Sequence, residues 1–393
     1  MSSAQARLRR CSVLFFEPRE KLIFDLAALA SGGSGLRKVV EWIAFAPNAD
    51  AEIAVTVEGI AILGSVSPSE WTDADELSSA HSRASIESLI EKKLLITEAS
   101  ESDHRDGLLR DAHWRGASAV MHYASRWRGV DTELNEKRFT EIATGTLLDH
   151  LGPPPPVVRE RIEAKSRIRL PHADATPLDA LLERRVTCRN YDISRALTQA
   201  QFAAVLHRTY GARAVDDFAP GVKLLKKGVP SAGGLHPTEA YLLVQRVEGI
   251  APGLYHYHPI DHALEPIRFV DVDEASALAR RFVAAQSYFG DAHVLVIPVS
   301  RFLRNFWKYR NHAKAYRTLI LDVGHLSQTM YLAATELGLA AFITAAVNEI
   351  DIEEAFGLDP LEEGPLAVTG FGIRAAERSE VEFDPLHAVW KET

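Results

Sequence analysis

The chain has 393 residues, enough for two or three domains, and its 47% apolar and 25% charged residues are typical of a folded globular protein. This composition excludes intrinsic disorder and fibrous repeats, and no apolar run reaches the roughly 18 residues that a membrane span needs. The net charge of −9 disfavours general nucleic-acid binding, and two cysteines are too few for a disulfide framework or a thiolate metal site.

The N-terminal segment carries three arginines within its first ten residues, followed by an apolar stretch at residues 22–30. Asp25 interrupts that stretch and no small-residue cleavage site follows, so the pattern is not that of a secretory signal. We therefore expect a cytoplasmic protein that does not engage a membrane.

Short strands and helices alternate along the first hundred residues. The pattern predicts strand Ile53–Val57, helices Asp73–Ala80 and Arg83–Lys93, and strand Leu94–Thr97. This order resembles a winged helix-turn-helix module, which we expect over residues 1–105. Residues 1–110 hold 12 basic and 17 acidic side chains, so the charge favours binding of a peptide or a protein partner over binding of DNA.

Two segments divide the chain, the polar stretch Ser100–Asp106 and the proline run Pro153–Pro156. Consecutive prolines favour a stiff, extended spacer. The chain is therefore predicted to have three parts: the winged-helix-like domain at 1–105, a helical and proline-rich linker at 106–176, and an α+β domain at 177–393.

The third part begins with a well-marked helix. Thr198 and Gln201 form a capping box for a helix at Thr198–Tyr210, and Gly211 ends it. A longer helix, Thr318–Leu337, carries an apolar stripe that indicates a central core or a subunit interface. Strands are predicted at Ala240–Arg246, His293–Ser300 and Leu366–Ile373.

Arg185, Thr187 and Arg189 alternate along the segment RVTCRNY. If this segment is extended, the three side chains lie on one face. Two guanidinium groups and a hydroxyl suit a phosphate monoester. A charged strand face on the surface explains the same spacing, so both interpretations stay open.

The segment Pro230–Pro237, PSAGGLHP, is a second candidate site. Glycines lack a Cβ, so Gly233 and Gly234 allow a flat ligand to approach the backbone closely. The segment is not a P-loop, because no G-K-[ST] follows. A plain turn before the next strand fits it equally well.

Four aromatic residues of the segment 301–317 share one face of a predicted helix and indicate a buried stripe: Phe302, Phe306, Tyr309 and Tyr316. Lys308 falls beside this stripe. A solvated lysine is the simpler interpretation. A lysine next to a tyrosine can instead share in proton transfer.

The histidines do not predict a metal site. His256 and His258 alternate along one segment, and His325 lies on the long helix. No carboxylate or third histidine stands nearby at metal-ligand spacing. We expect these histidines to be packed or hydrogen-bonded.

Taken together, these segments resemble the SagB-type dehydrogenases, a branch of the FMN-dependent nitroreductase superfamily that includes the azoline oxidases of ribosomal peptide maturation. The resemblance covers about residues 180–375. Its blocks follow the family's order: Arg185–Tyr191, Pro230–Pro237, Gly253–Pro259, Lys308-Tyr309, Asp322–His325 and Gly338-Leu339. It implies a nitroreductase-like α+β fold, a central and mainly antiparallel sheet flanked by helices, and a homodimer with FMN at the interface.

The resemblance also implies roles for single residues. Arg185, Thr187 and Arg189 match the site of the FMN phosphate and ribityl chain, and Arg374 is a further candidate there. The residues implied for the isoalloxazine ring are Pro230, Ser231, Ala232 and Gly233, with Thr344 and Ala345 approaching from the partner side.

Lys308 and Tyr309 match the catalytic pair of the azoline oxidases. Three positions depart from the family pattern. Thr187 stands for the usual serine, and Ala340 and Ala345 stand for the usual glycines of the small-residue loop.

The function implied is oxidation of azolines to azoles in a precursor peptide, with a cyclodehydratase as a candidate partner protein. Two alternatives remain. An NAD(P)H-dependent reductase of nitro or quinone compounds uses the same flavin site. A non-enzymatic regulator, with flavin as sensor and the winged helix on DNA, is disfavoured by the acidic N-terminal region.

Overall fold

The structure is a computed structural model that describes residues 6–49, 52–133, 149 and 151–391. The described residues form two compact units. The first holds the described residues up to Arg126, with Arg301–Leu319 and Leu358–Gly364. The second holds those of Trp127–Ser300, with Ile320–Gly357 and the residues from Pro365 onwards.

The first unit contains two small antiparallel sheets and several short helices. The strands are β1 (Arg7–Arg10), β2 (Phe15–Phe24), β3 (Leu36–Phe45), β4 (Ile53–Val55), β5 (Thr72–Asp73) and β6 (Leu95–Thr97). The helices are α1 (Leu26–Ala30), α2 (Val57–Ser65), α3 (Ala74–Ala80), α4 (Arg83–Glu91), α5 (Glu101–Asp111) and α6 (Gly116–Ala124). The sheets have the strand orders β5-β1-β6 and β2-β3-β4.

The predicted elements of this region are confirmed, with ends that differ by one or two residues. Helix α4 buries Ile86 and Leu89. They join Leu8 of β1 and Ile62 of α2 in one core. The assignment of this region as a winged-helix module stays a prediction.

The polar stretch Ser100–Asp106, predicted as a division of the chain, is helical instead. Ser100 caps helix α5, since its hydroxyl accepts from the amide of Asp103 at 3.2 Å. Asp106 is fully buried and binds Arg9 at 2.5 Å and the amide of Ser12 at 2.8 Å. The polar residues of this stretch thus form a helix cap and a buried ion pair. A polar composition alone does not distinguish such a segment from a linker.

The predicted linker is described only in part. Its residues 134–148 and 150 lie outside the described residues, and Pro153–Pro156 belong to no helix or strand. The predicted domain limits at 105 and 176 stay predictions. No helix in the described ranges is long and apolar enough to cross a membrane.

The rest of the chain carries nine more strands and seven more helices within the described residues. The strands are β7 (Ala212–Ala219), β8 (Val222–Lys227), β9 (Thr238–Val244), β10 (Gly253–His258), β11 (Ala263–Phe269), β12 (Val294–Arg301), β13 (Ala340–Thr344), β14 (Glu363–Pro365) and β15 (Val368–Gly372). The helices are α7 (Pro177–Arg184), α8 (Gln199–Thr209), α9 (Val272–Phe282), α10 (Ser287–Gly290), α11 (Phe302–Phe306), α12 (Ala315–Glu336) and α13 (Glu349–Phe356).

The central sheet of the second unit has the order β11-β10-β9-β12-β15-β13, and the pairings of these six strands are antiparallel. Its strands are rich in β-branched and aliphatic residues, which suit a sheet that is buried on both faces. Leu242 of β9 and Val294 of β12 pack with Phe202 of α8 and Met330 of α12 in one core. The predicted α+β class with a mainly antiparallel sheet and flanking helices is confirmed.

The two marked helices are also confirmed. Thr198 and Gln201 form the predicted capping box, with the Gln201 amide donating to the Thr198 hydroxyl at 3.2 Å. Helix α12 begins three residues earlier than predicted and buries its apolar stripe, including Leu319, Leu326 and Met330.

The predicted continuous aromatic helix over 301–317 is wrong. Helix α11 ends at Phe306, Asn311 adopts the left-handed backbone (φ 50°), and α12 begins only at Ala315. The side-chain amide of Asn305 donates to the Ala315 carbonyl at 2.9 Å and stabilises this break. Phe302, Phe306 and Tyr316 are buried as predicted, whereas Tyr309 is half-exposed.

Candidate functional site

The segment 185–191 is extended and lies against the last strand of the central sheet. Thr187 forms a parallel bridge with Ala341 of β13. The side chains between the three predicted polar residues are buried, whereas Arg185, Thr187 and Arg189 are half-buried. This alternation confirms that the three polar side chains share one face.

The guanidinium groups of this face lie over aromatic rings. Arg185 is 5.3 Å from the ring centre of Tyr331, and Arg189 is 5.5 Å from that of Tyr288 and 5.7 Å from that of Phe289. Within the described part of the chain, neither guanidinium forms an ion pair with a carboxylate. Both positive charges are therefore available to an anion.

Tyr331 of α12 supports this face from below. It is 5% exposed, and its hydroxyl lies 3.0 Å from the Thr187 hydroxyl. Burial raises the pKa of Tyr331, so the phenol keeps its proton and can donate it to Thr187. Tyr331 therefore positions Thr187 through its hydroxyl and Arg185 through its ring. The sequence pattern of the helix did not predict this role.

Arg374, the further phosphate candidate, is ion-paired with buried Glu382. This carboxylate also accepts from the amide of Arg189 at 2.6 Å, the amide of Asn190 at 3.1 Å and the indole of Trp390 at 2.8 Å. Burial acts to raise the pKa of Glu382, but these donors and Arg374 outweigh it and lower the pKa overall. The Arg374 guanidinium is thus held by its own chain, and its contact with a phosphate stays a prediction.

The predicted ring-binding residues lie together in the loop Pro230–His236. Its two central glycines take the left-handed backbone, with φ 63° at Gly233 and 69° at Gly234. Side chains rarely adopt this conformation, so the position requires glycine. Gly233 and Pro230 are exposed, which leaves the backbone here open to a ligand.

The start of this loop is hydrogen-bonded to Asp322 of α12. The Ser231 hydroxyl donates to one carboxylate oxygen at 2.5 Å, and the Ala232 amide donates to the other at 3.2 Å. Asp322 is 5% exposed, and burial raises its pKa. The sequence marked Asp322 only as part of a family block and assigned it no role.

Thr344 and Ala345 lie at the end of β13. The Thr344 side chain is buried, donates to Gln286 at 2.8 Å and accepts from the Ala346 amide at 3.2 Å. Ala345 is exposed. Of this pair only Ala345 is exposed, and the contact of either residue with a flavin stays a prediction.

Helix α12 contacts both groups of predicted residues, but on opposite faces. Asp322 binds the loop and Tyr331 supports the arginine segment. These two residues are nine positions apart, about two and a half turns of helix. Within one chain, helical phase therefore directs the loop and the arginines to different sides of α12.

Lys308 and Tyr309 follow helix α11 and belong to the first unit, whereas the predicted cofactor-binding residues belong to the second. Lys308 is exposed, and its ammonium group lies 5.7 Å from the centre of the Tyr309 ring. Tyr309 is half-buried, and its amide donates to the Asn305 carbonyl at 3.2 Å. The two side chains are adjacent, and their catalytic role stays a prediction.

The side chains of His256 and His258 are hydrogen-bonded, as expected, whereas His325 lies exposed on α12 and is not packed as expected. His256 lies between Glu265 at 2.7 Å and Glu239 at 3.2 Å on neighbouring strands. Burial acts to lower the pKa of His256, but the two carboxylates outweigh it and raise the pKa overall. Among the described residues, no group of three or more His, Cys, Asp or Glu could hold a metal ion.

The donor set of the second unit fits a phosphate-bearing flat ligand. Among the described residues no carboxylate pairs with Arg185 or Arg189, and Thr187 supplies a hydroxyl on the same face. The Gly233-Gly234 loop offers backbone without a Cβ. A phosphorylated flavin such as FMN has both features, an anionic phosphate and a planar ring.

Residues 182–373 match the model of the nitroreductase family. This range contains the predicted cofactor-binding and catalytic residues except Arg374, and Glu382 also lies beyond it. "Putative nitroreductase MJ1384" of Methanocaldococcus jannaschii is 30% identical over 205 residues, which cover 52% of this chain and 95% of that protein.

Two further relatives carry names from peptide maturation. The trifolitoxin-processing protein TfxB of Rhizobium leguminosarum bv. trifolii is 35% identical over 149 residues, 36% of this chain and 38% of that protein. The microcin B17-processing protein McbC of Escherichia coli is 28% identical over 159 residues, 39% of this chain and 57% of that protein. The chain thus matches less than two thirds of each processing protein, whereas it matches nearly the whole of MJ1384. From the family model and this near-complete match it follows that the chain belongs to the nitroreductase family.

Proposed function

We propose that this protein is an FMN-dependent dehydrogenase of the SagB type that oxidises azolines to azoles in a ribosomally made precursor peptide. The observation that carries the proposal is the face of Arg185, Thr187 and Arg189, where two guanidinium groups have no carboxylate partner in the part of the chain that the structure describes. The Lys308-Tyr309 pair and the names of two relatives, TfxB and McbC, favour a peptide-processing oxidoreductase over other flavoproteins.

The residues divide the work between binding and proton transfer. When bound, the flavin supplies a hydride acceptor. Arg185 and Arg189 hold its phosphate through charge-assisted hydrogen bonds, and the Gly233 backbone lies along its ring. Lys308 and Tyr309 take the proton that the azoline ring loses along with its hydride.

The visible absorption spectrum of the purified protein tests the cofactor. Bands near about 370 and 450 nm are expected for the wild type. The double variant Arg185→Ala/Arg189→Ala removes two charge-assisted contacts, each of about 1.5–3 kcal/mol, so FMN affinity should fall at least about a hundredfold. Arg184→Ala is the matched control, because its exposed side chain bonds only to its own helix.

A colourless wild-type protein that also fails to take up added FMN would overturn the flavoenzyme proposal. The reaction itself is tested with an azoline-containing peptide and mass spectrometry, since each ring oxidised loses two hydrogens. Lys308→Ala should lower the rate by about 10²–10⁴ while FMN stays bound.

We propose that the active form is a homodimer. The loop and the arginine segment meet opposite faces of α12, so a second copy is needed to bring one of each to the same flavin. The exposed face of α12 supports this, because it carries Ile320 and Leu321 at 46% and 56% exposure beside Gly324.

We propose that the N-terminal region, predicted as a winged helix over 1–105, holds the leader of the precursor peptide by adding a strand to a sheet edge. The excess of acidic over basic side chains in this region supports a peptide as the ligand rather than DNA. The test measures binding of the full chain to a precursor peptide with and without its leader. Leader removal should weaken binding at least tenfold, and equal affinities would contradict this role.

The rival function is an NAD(P)H-dependent reductase of nitro or quinone compounds, which the name of MJ1384 favours. Steady turnover with NADPH and a nitroarene, unaffected by Lys308→Ala, would support the rival. No turnover with NADPH, together with azoline oxidation that depends on Lys308, would exclude it.

A further inference from the structure

Asp322 is a buried carboxylate without a cationic partner. Its side chain lies on α12 at 5% exposure, and no Lys or Arg in the described part of the chain forms an ion pair with it. A buried carboxylate must be compensated by hydrogen bonds. The two that it receives from side chain and backbone come from consecutive residues of one loop, Ser231 and Ala232.

Ser231 links Asp322 to the C-terminal end of the loop. Its hydroxyl donates to Asp322 and at the same time accepts from the amide of His236 at 3.0 Å. The second and seventh residues of the loop, Ser231 and His236, are thereby joined through one oxygen atom. Asp322 accepts from that oxygen, so the closure of the loop depends on a residue of another element.

The loop needs this closure because its backbone is strained. Gly233 and Gly234 adopt φ values of 63° and 69°, and His236 adopts 46° without being glycine. Glycine adopts these φ values at little cost, whereas the left-handed backbone of His236 is costly unless the surroundings hold it. The amides of Gly234 and Leu235 donate to carbonyls of the same loop, at 3.0 and 3.3 Å.

We propose that Asp322 is the positioning residue of this loop: through Ser231 and Ala232 it holds the Gly233-Gly234 backbone in the shape that receives the cofactor ring. The identity of the ligand as FMN rests on the proposed function. The role of Asp322 in fixing the loop does not, because it depends only on the contacts with Ser231 and Ala232. Burial raises the pKa of Asp322, which agrees with a carboxylate whose stabilisation comes from these few donors.

The test uses three variants of the full chain: Asp322→Asn, Ser231→Ala and their combination. Asn keeps the shape but places an amide group against one of the two donors. Amide hydrogen exchange of residues 233–236 in the ligand-free protein and the FMN dissociation constant are measured for each. Ser327→Ala is the control, because this buried hydroxyl of the same helix bonds only to the Gly324 carbonyl.

Each single variant should speed exchange at residues 233–236 at least tenfold and weaken FMN binding by about ten- to thirtyfold. The double variant should be no worse than the more damaging single one, because both substitutions break one chain of contacts. At saturating FMN, the band near about 450 nm should lose its fine structure in the variants, as for a solvated flavin. The control should match the wild type in all three measurements.

Unchanged exchange of the loop in Asp322→Asn would overturn the proposal, and so would additive effects in the double variant. If Asp322→Asn does not fold, Ser231→Ala alone decides, since it removes the same link from the loop side. If the wild type binds no FMN, the proposed function fails, while the exchange measurement still tests Asp322.

Discussion

The arginine segment shows how single side chains prepare an anion site. Arg185 and Arg189 rest on aromatic rings, which hold a guanidinium in place without neutralising it. A carboxylate partner would have competed with any phosphate. Tyr331 also contributes a hydroxyl that contacts the Thr187 side chain.

Tyr331→Phe tests this support. The change removes the hydroxyl but keeps the ring under Arg185, so a net loss of about 0.5–1.5 kcal/mol is expected. FMN affinity, measured by quenching of flavin fluorescence, should fall about three- to tenfold. Phe342→Leu of the buried sheet serves as the control for general loosening of the core. An unchanged affinity in Tyr331→Phe would contradict the role of the hydroxyl.

Glu382 is the other residue on which this segment depends. Glu382→Ala leaves the Arg374 guanidinium and several amide donors buried without their acceptor, so the free energy of unfolding should fall by about 3–5 kcal/mol at pH 7. Urea unfolding measures the loss, and exposed Glu380→Ala should cost almost nothing.

The pH dependence of this difference has a definite sign. The pKa of Glu382 is lowered in the folded protein, so its contribution is present above the unfolded value of about 4.3 and is lost as the pH falls below it. The wild type and Glu382→Ala should therefore converge in stability below about pH 4. A constant gap down to pH 3 would contradict the assignment.

At the scale of elements, charged side chains on neighbouring strands of the central sheet contact one another. β9, β10 and β11 place Glu239, His256 and Glu265 side by side, with the histidine in the middle. Glu265 lies directly opposite His256, whereas Glu239 lies diagonally, two residues from the direct partner Tyr241. Opposed and diagonal side chains of antiparallel strands stabilise a sheet when their charges are opposite. Here that condition depends on the protonation of one imidazole.

His256→Gln tests this coupling. The pKa of His256 is raised in the folded protein, so its stabilising contribution is complete below the unfolded value of about 6.5 and is lost as the pH rises through the folded value. The free energy of unfolding of the wild type should therefore decline between pH 6 and pH 8, and that of His256→Gln should decline less. Equal slopes for His256→Gln and the wild type would contradict the coupling of His256 to Glu239 and Glu265.

At the scale of the whole molecule, the nitroreductase fold distributes one predicted cofactor site over two faces of α12. The loop depends on Asp322 and the arginine segment on Tyr331, and these residues lie on opposite sides of the helix. The homodimer that we propose would resolve this division, because each copy would complete the site of the other.

Leu321→Glu tests the dimer. A charge on the exposed apolar face of α12 should convert dimers to monomers in analytical ultracentrifugation, and FMN binding should be lost with the dimer. Ile267→Glu, at a similarly exposed position of β11, should remain dimeric and bind FMN. A monomeric wild type that binds FMN fully would contradict the shared site.

Much of the second unit was predictable from the sequence alone. The capping box of Thr198 and Gln201 and the apolar stripe of α12 depend on local spacing, which sequence carries directly. The face of Arg185, Thr187 and Arg189 follows from the two-residue period of an extended chain. The α+β class and the nitroreductase family followed from the order of the motifs.

Other features depended on residues distant in the chain, and only the tertiary structure decided them. The stretch Ser100–Asp106 has the composition of a linker, yet it begins a helix whose Asp106 is buried against Arg9 and Ser12. Asn305 breaks the helix that the aromatic spacing predicted. Asp322, Tyr331 and Glu382 acquire their partners across 91, 144 and 193 positions. Local spacing encodes helices, strands and faces, whereas the partner of a buried polar group is determined by how those elements pack.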